Sequence, residues 1–437
     1  RYTSYPTVPF WTEDFGPREW AQHLEERSAA NTDMPLSLYV HIPFCAKRCL
    51  FCACNVIITR KDYVADEYLD VLEREIALLR SHYKGHGQVI QLHLGGGTPN
   101  FLDGEQMARL LAILERYFDF SPDAERSIEV DPRVATPDEI RRLHDRDGFN
   151  RISFGVQDLN DDAQAAIGRE QTREISRANV IAAREAGFKS VNIDLIYGLP
   201  RQTAQTWEST IDDVLDIRPD RIALYNFAFL PERLAHQKKL ADEILPDRDT
   251  KVAMFMAAHD RLTDHGWTFI GMDHYALETD SLAKAMESGT LRRNFMGYTT
   301  LKGTDLLAFG VSSIGDFEGA FAQNVKKLTT HRRLIEEGLL PVERGLVLSE
   351  DDLLRRLCVE SVMCKGRLEF DAPEISKIAH DVWPDLERLQ DEGLIDLHKN
   401  HLDVTLKGRV FLRNIAVVFD AYLRRKSGGK PLFSRAV

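Results

Sequence analysis

Three cysteines, Cys45, Cys49 and Cys52, stand at i, i+4 and i+7 in the stretch HIPFCAKRCLFCACN. On one loop that spacing can wrap the corner of a 4Fe–4S cubane, giving three thiolates to four irons and leaving one iron with an open position. A structural zinc site wants four closed ligands, usually as two separated CxxC pairs. Zinc held by Cys45, Cys49, Cys52 and Cys54 is therefore the competing arrangement. Cys54 follows Cys52 by two residues, and a CxC pair reaches one cubane awkwardly. A role beside the cluster and a small packed residue both stay open for it. Phe51, an aromatic directly before the third cysteine, strengthens the cluster reading. Cys358 and Cys364 lie on an apolar helical face and read as core. Clustering of four of the 6 cysteines argues against an extracellular disulfide framework. It favours metal chemistry in a reducing compartment, and a cytosolic protein is expected.

An open iron is what S-adenosylmethionine (SAM) needs to chelate through its amino and carboxylate groups. An electron from the cluster can then break its C–S bond and release a 5′-deoxyadenosyl radical. The partners for such a ligand are sought at strand ends. In GGGTP (95–99) glycines let backbone approach a ligand closely, and their amides can meet a carboxylate. Glu129 in IEVDP, Gln157 in FGVQD and Asp194 in NIDLIYGLP close later strands, and Arg169 in GREQ can pair with a carboxylate. Singly, such residues are usually caps or surface turns; their shared strand-end position favours one convergent mouth. His41, four residues before Cys45, is placed to give hydrogen bonds or protons near the cluster. His93 reads as a satisfied core histidine, and the role of His274 in GMDHYA is open.

The elements that must position these residues alternate. β-rich runs at 36–42, 89–95, 126–130, 151–155, 190–198 and 221–227 are separated by amphipathic stretches such as ADEYLDVLEREIALLRSHY and GEQMARLLAILERYF. A third, TPDEIRRLHDRDG, opens with a capping box from Thr136 to Glu139 and Pro at the first helical position. Strand and helix repeated six times predict an α/β protein with a parallel sheet and right-handed crossovers. The pattern fits a partial (β/α)6 barrel, whose active residues gather at the C-terminal strand ends, and by itself does not exclude an open doubly wound sheet. From 228 to about 345 the rhythm is less regular, with a helix near 248–265 and the strand WTFIG. Beyond Leu348 come SEDDLLRRLCVESVMCKG, a helix through PDLERLQDEGL, the short segments IDLHK and HLDVT, and a helix LKGRVFLRNIAVVFDAYL. Helices followed by a small hairpin resemble a winged-helix unit, read as a packing domain ahead of DNA binding. The expected divisions are an N-terminal extension at 1–35, the barrel with its extension at 36–345, and a mainly helical C-terminal domain at 346–437.

Composition narrows the function. In 437 residues, 43% are hydrophobic and 28% charged, enough for a core in two or three domains. A formal charge of −12 disfavours nucleic acid as the main partner, because polyphosphate binding needs a basic face. No run of about 18 apolar residues predicts a membrane span. RYTSYPTVPF carries no signal-peptide pattern, and because the chain does not begin with Met, further residues are expected to precede it.

With these residues in view, the sequence resembles the oxygen-independent coproporphyrinogen III oxidase family within the radical SAM superfamily. RYTSYPT, LYVHIPFC, CxxxCxFCxCN, GGGTP, SIEVDPR, NRISFGVQD, REQ, NIDLIYGLP, FIGMDH, RNFMGYTT and the closing FSRAV carry the resemblance in order along essentially the whole chain. RYTSYP and the CxC with Asn55 discriminate best. Related haem chaperones share the cysteine loop and GGGTP, so a haem-binding paralogue is the alternative. The resemblance implies oxidative decarboxylation of two propionates of coproporphyrinogen III to vinyl groups, giving protoporphyrinogen IX in haem biosynthesis. It implies a 4Fe–4S cluster on Cys45, Cys49 and Cys52, and two SAM molecules. Tyr39, Phe51, Gly96, Glu129 and Ile314 fall where the family contacts the cluster-bound molecule. Gly97, Thr98, Gln157, Arg169, Asp194 and Ala228 fall where it contacts the second. Tyr39 and Cys54 are the catalytic candidates. A flavodoxin-type electron donor, an unidentified electron acceptor and a monomeric state are further expectations. The one departure is Gly168 before Arg169, where the family often has Asn.

Overall fold

The structure, a computed structural model, describes residue 2 and residues 4–240 and 245–425. The closing FSRAV, and Arg1 and Thr3 of RYTSYPT, lie outside the described residues. The chain divides into two units: Thr12–Arg261 with Gly303–Leu346, and, in their described residues, Arg1–Trp11, Leu262–Lys302 and Val347–Val437. Residues 2, 4–11 and 262–302 thus belong with the run from Val347 in the smaller unit, and the larger unit takes up the chain from Thr12.

The larger unit is built on six parallel strands: β1 Leu36–Ile42, β2 Val89–Gly96, β3 Phe120–Val130, β4 Arg151–Gln157, β5 Ser190–Tyr197 and β6 Arg221–Asn226. Each expected strand is present. β1 and β5 are buried along nearly their whole length, as parallel strands covered on both faces must be. The strands follow one another in chain order, each parallel to the next. A doubly wound sheet would reverse its strand order at a switch point; this sheet does not, which leaves the partial barrel. Helices Tyr63–His82, Gly104–Tyr117, Pro137–Asp145, Arg173–Ala186 and Ala204–Ile217 fill the crossovers. Thr136 accepts the Glu139 N–H at 3.2 Å, so the main arm of the expected capping box is made.

Sequence pattern did not give the other side of β1. There the sheet continues through β7 Asp305–Phe309, β8 Ile314–Phe317, β9 Ala320–Asn324 and β10 Val342–Val347. β7 runs parallel to β1, and β8 and β9 return antiparallel. A buried carboxylate joins this extension to the barrel. Glu75, 1% exposed, accepts the Gly310 N–H at 3.0 Å, Asn324 Nδ2 at 2.7 Å and His331 Nε2 at 2.9 Å.

In the smaller unit, helices Glu350–Glu360, Pro373–Asp381 and Trp383–Asp391 accompany a three-stranded sheet of β11 Arg367–Glu369, β12 Ile395–Leu397 and β13 His401–Val404. Helices with a small hairpin match the winged-helix expectation. Cys358 and Cys364 are buried in this unit's core with Val362, Leu386 and Ile415, as expected. The single expected helix from Leu406 is instead broken into Leu406–Val410, Leu412–Ala416, a 3-10 turn Val417–Phe419 and Ala421–Arg425. Asp420 explains the last break: its backbone is extended and its carboxylate accepts the Leu423 N–H at 2.9 Å, a cap that starts a new helix. No helix among the described residues is long and apolar enough to cross a membrane.

Candidate active site

β1 is followed directly by Pro43-Phe44-Cys45, where the loop carrying the cysteines begins. The Gly97 N–H donates to the Ile42 carbonyl at 2.8 Å, tying the glycine turn to the end of β1, and Ile57 N–H donates to Pro43 O at 2.7 Å, tying the far end of the cysteine loop back to its start. Its middle is held by backbone contacts: Leu50 N–H donates to Ile167 O at 2.9 Å, Gln237 Nε2 to Phe51 O at 3.1 Å, and His236 Nε2 to Cys52 O at 2.8 Å. Neither His236 nor Gln237 was legible as a site residue, because their work is done on carbonyls of a distant loop.

The loop faces one cavity. It is lined by Cys45, Cys49, Cys52, Cys54 and Phe51, by Gly96, Gly97 and Thr98, by Glu129, Gln157 and Asp194 from the later strands, and by Arg169 from the turn after helix Asp161–Ile167. The first five strands and the loops that follow them therefore deliver twelve of the expected residues to one mouth. Tyr39, Ala228 and Ile314 do not border it. Tyr39 stands behind, its ring stacked on His93 at 5.8 Å and its hydroxyl 3.2 Å from His41 Nδ1. Ala228 touches the loop indirectly, since its carbonyl accepts from the same Gln237 amide that holds Phe51. Ile314 opens β8.

All four loop cysteines are free thiols. Cys45 Sγ lies 3.2 Å from Thr98 Oγ1, and burial pushes its thiol up to about 11. A side-chain hydrogen bond with Cys54, with help from the Cys54 N–H at 3.4 Å, pulls Cys52 down to about 6. Cys49 is met by Arg169 Nη1 at 3.4 Å and by Arg133 Nη2 at 3.7 Å. Both guanidiniums are paired to Asp131, Arg133 at 2.6 Å and Arg169 at 3.2 Å. Asp131 and Arg133 were not singled out beforehand. The signal was the charge pair in VDPR, two and four residues past Glu129.

Glu129 organises the opposite wall. Its carboxylate accepts the Gly96 N–H at 3.2 Å and lies 3.4 Å from His93 Nε2. Burial opposes its charge, but the His93 hydrogen bond, the His93 charge and the Gly96 amide hold it below the ordinary carboxyl value. His93 is thus a support of this wall, with Nδ1 2.6 Å from Ser127 Oγ, and not a plain core residue. Sequence alone could not tell this, because β2's alternation only says which face His93 occupies. His41 packs its ring over Gly96, which has φ +117°; a Cβ there would lie 2.7 Å from His41 Cε1. His41 Nε2 is 3.0 Å from the Asn55 carbonyl, and burial lowers its basicity. It braces the loop and touches no cysteine sulfur among the contacts seen. Asp194 is pushed up to about 7, first by burial and then by the Glu129 charge. Gly168 ends the helix Asp161–Ile167 at φ +67°, a left-handed position that Asn also tolerates, so the departure from the family pattern leaves Arg169 in place.

A donor set of three thiols, clamped by two guanidiniums on one side and open to a polar strand-end wall on the other, fits a cluster with a chelating ligand. Relatives agree. The radical SAM superfamily matches residues 39–214. The oxygen-independent coproporphyrinogen III oxidase of Escherichia coli (strain K12) is 44% identical over 100% of this chain and 95% of its own length. The chain belongs to the oxygen-independent coproporphyrinogen III oxidase family. Its Pseudomonas aeruginosa member is 40% identical, covering 100% of this chain and 96% of the relative. The solved coproporphyrinogen III oxidase (HemN) from Escherichia coli, a radical SAM enzyme, superposes with a TM-score of 0.91 at 44% identity over 96% of this chain and 97% of that one. Membership brings with it a 4Fe–4S cluster and SAM.

Proposed function

We propose that this protein oxidatively decarboxylates two propionate side chains of coproporphyrinogen III to vinyl groups, forming protoporphyrinogen IX without oxygen. The observation that carries the reading is the single cavity in which the CxxxCxxC loop faces Gly96, Thr98, Glu129 and Arg169, in a chain similar over its full length to enzymes of that name. Cys45, Cys49 and Cys52 would hold the cluster. When bound, cluster and SAM would supply the radical chemistry that takes a hydrogen atom from a propionate β-carbon, with carbon dioxide as the leaving group and one electron left for an acceptor.

The chain's own residues prepare that event. Gly96 brings backbone to within contact of a ligand, and Glu129 is charged and open to accept from an ammonium or ribose hydroxyls. Arg169 is pinned by Asp131 and by Gly155 O at 3.1 Å, aimed at the cavity for a carboxylate or a thiolate. Gln157 and Asp194 offer further polar contacts, and Gly97 and Thr98 complete the set we assign to a second SAM molecule, with Ala228 behind them. Tyr39, Phe51 and Ile314 we place on the side of the first. Lys47, Arg48 and Arg133 at the cavity edge are suited to the substrate's carboxylates. Cys54, which is exposed, is assigned to proton or hydrogen delivery near the substrate and not to the cluster. A cytosolic monomer supplied by a flavodoxin-type donor completes the reading.

The test is anaerobic turnover of the cluster-loaded protein with reductant, SAM and coproporphyrinogen III, quantifying 5′-deoxyadenosine and protoporphyrinogen. Formation of both is expected. Neither product, together with stable haem binding, would assign the scaffold to a haem-binding paralogue instead. Cys45→Ala should lose the cluster absorbance while Cys54→Ala keeps it.

A further inference from the structure

The cysteine loop is not the molecule's one collection of metal-binding side chains. On the exposed face of the small sheet in the smaller unit, His398, His401 and Asp403 bring two imidazoles and a carboxylate together, each offering one atom within 4.8 Å of the others. The backbone explains how. β12 and β13 form an antiparallel hairpin with Leu397 opposite Leu402 and Asp396 opposite Asp403. The His398 N–H donates to the His401 carbonyl at 2.9 Å and closes the turn. That puts His398 across from His401, and their rings stack with centroids 4.3 Å apart and planes at 21°. Residues two apart on a strand share a face, so Asp403 stands beside His401; their Nε2 and Oδ2 atoms are 3.1 Å apart.

We propose that His398, His401 and Asp403 form a binding site for a divalent transition ion of the zinc class. Two imidazoles and one carboxylate suit zinc, nickel or copper and not the hard cations, which take oxygen sets. Donors about 2.1 Å from one ion lie at most about 4.2 Å apart, so small side-chain rotations close the 4.8 Å set. Asn400 Oδ1, 2.9 Å from His401 Nδ1, fixes that ring with Nε2 towards Asp403. Such an outer partner orients a ligating histidine. Exposure leaves room for water in the remaining coordination positions.

The same face carries a competitor. Arg367 on β11 reaches both Asp403 oxygens at 3.0 and 3.1 Å, and its Nε donates to Glu369 Oε1 at 2.6 Å. Glu369 lies opposite His401 in the ladder, so it can add a second oxygen once the guanidinium withdraws. Arg367 thus neutralises the carboxylates when no ion is bound and opposes an incoming cation. A ligand histidine and Arg367 therefore have opposite effects, which a merely structural role for this face does not predict.

The test uses the full-length, cluster-loaded chain under anaerobic conditions, titrated with Zn2+ against a chromophoric chelator and with Co2+ for its visible spectrum. Wild type should take up one Zn2+ beyond the cluster metal, and Co2+ should give ligand-field bands without thiolate charge transfer. His401→Gln or Asp403→Asn should weaken Zn2+ at least about tenfold, while Arg367→Gln should tighten it severalfold. Equal affinity in wild type and His401→Gln, an Arg367→Gln variant that binds no more tightly than wild type, or cobalt bands of thiolate character would overturn the site.

Discussion

Replacing Asp131 by alanine removes the shared acceptor of two guanidiniums. Asp131 is 9% exposed in its side chain, against 18% for Arg133 and 8% for Arg169. It accepts from Arg133 Nε and Nη2, from Arg169 Nη1 and Nη2, and from the Arg133 backbone N–H. Breaking a buried pair by deleting one partner costs about 3–5 kcal/mol, because a charge is left uncompensated. Arg133 reaches solvent through the cavity and Arg169 keeps Gly155 O, so about 2–4 kcal/mol is expected after screening. The measurement is urea unfolding of the cluster-free chain, where no iron–sulfur charge can substitute for the carboxylate. Burial works to raise the Asp131 carboxyl, but the Arg133 hydrogen bond and the Arg169 charge hold it below the ordinary value. Its contribution is therefore full above the unfolded carboxyl value of about 3.9 and fades as pH falls through the lower folded value. Adding Arg133→Met to Asp131→Ala should recover part of the loss, since the removed charge no longer needs a partner. A loss below about 0.5 kcal/mol at neutral pH, with no coupling to Arg133, would refute the clamp.

Three other perturbations probe the supports. Gly96→Ala sets a Cβ 2.7 Å from the His41 ring at φ +117°; strain of about 1–3 kcal/mol should disturb the Glu129–Gly96 contact and weaken SAM binding about tenfold or more, read by equilibrium dialysis. Asp194 is raised to about 7, so the folded state holds its proton more tightly than the unfolded chain, and stability should fall as pH rises from about 4 to 7. Asp194→Asn should flatten that slope and be more stable than wild type at pH 8 by about 1–3 kcal/mol, while losing cosubstrate affinity; an unchanged slope in thermal melts from pH 5 to 8 would show that Asp194 is not so perturbed. Glu75→Ala leaves Gly310 N–H, Asn324 and His331 without their buried acceptor, and at about 1–3 kcal/mol each should cost at least about 3 kcal/mol in urea unfolding.

The sequence by itself determined the chemistry and the scaffold that presents it. Spacing of Cys45, Cys49 and Cys52 is a local property of one loop, and hydrophobic runs separated by amphipathic helices are local as well, so all six parallel strands could be read directly. Because such strands point their C-terminal ends one way, Gly96, Glu129, Gln157 and Asp194 could be placed at a common mouth from the sequence alone. Tertiary structure alone decided what depends on pairing between distant segments. Strands β7 to β10 were missed because they are short, and because β7, through which the others join the sheet, pairs with β1 more than 260 residues earlier, where no periodicity can point. The Asp131 clamp on Cys49, the support of Glu129 by His93, and the grip of His236 and Gln237 on the cysteine loop were missed for a related reason. Each is a hydrogen bond whose two ends are brought together only when the crossovers close, and a residue's type does not say which neighbour it will meet.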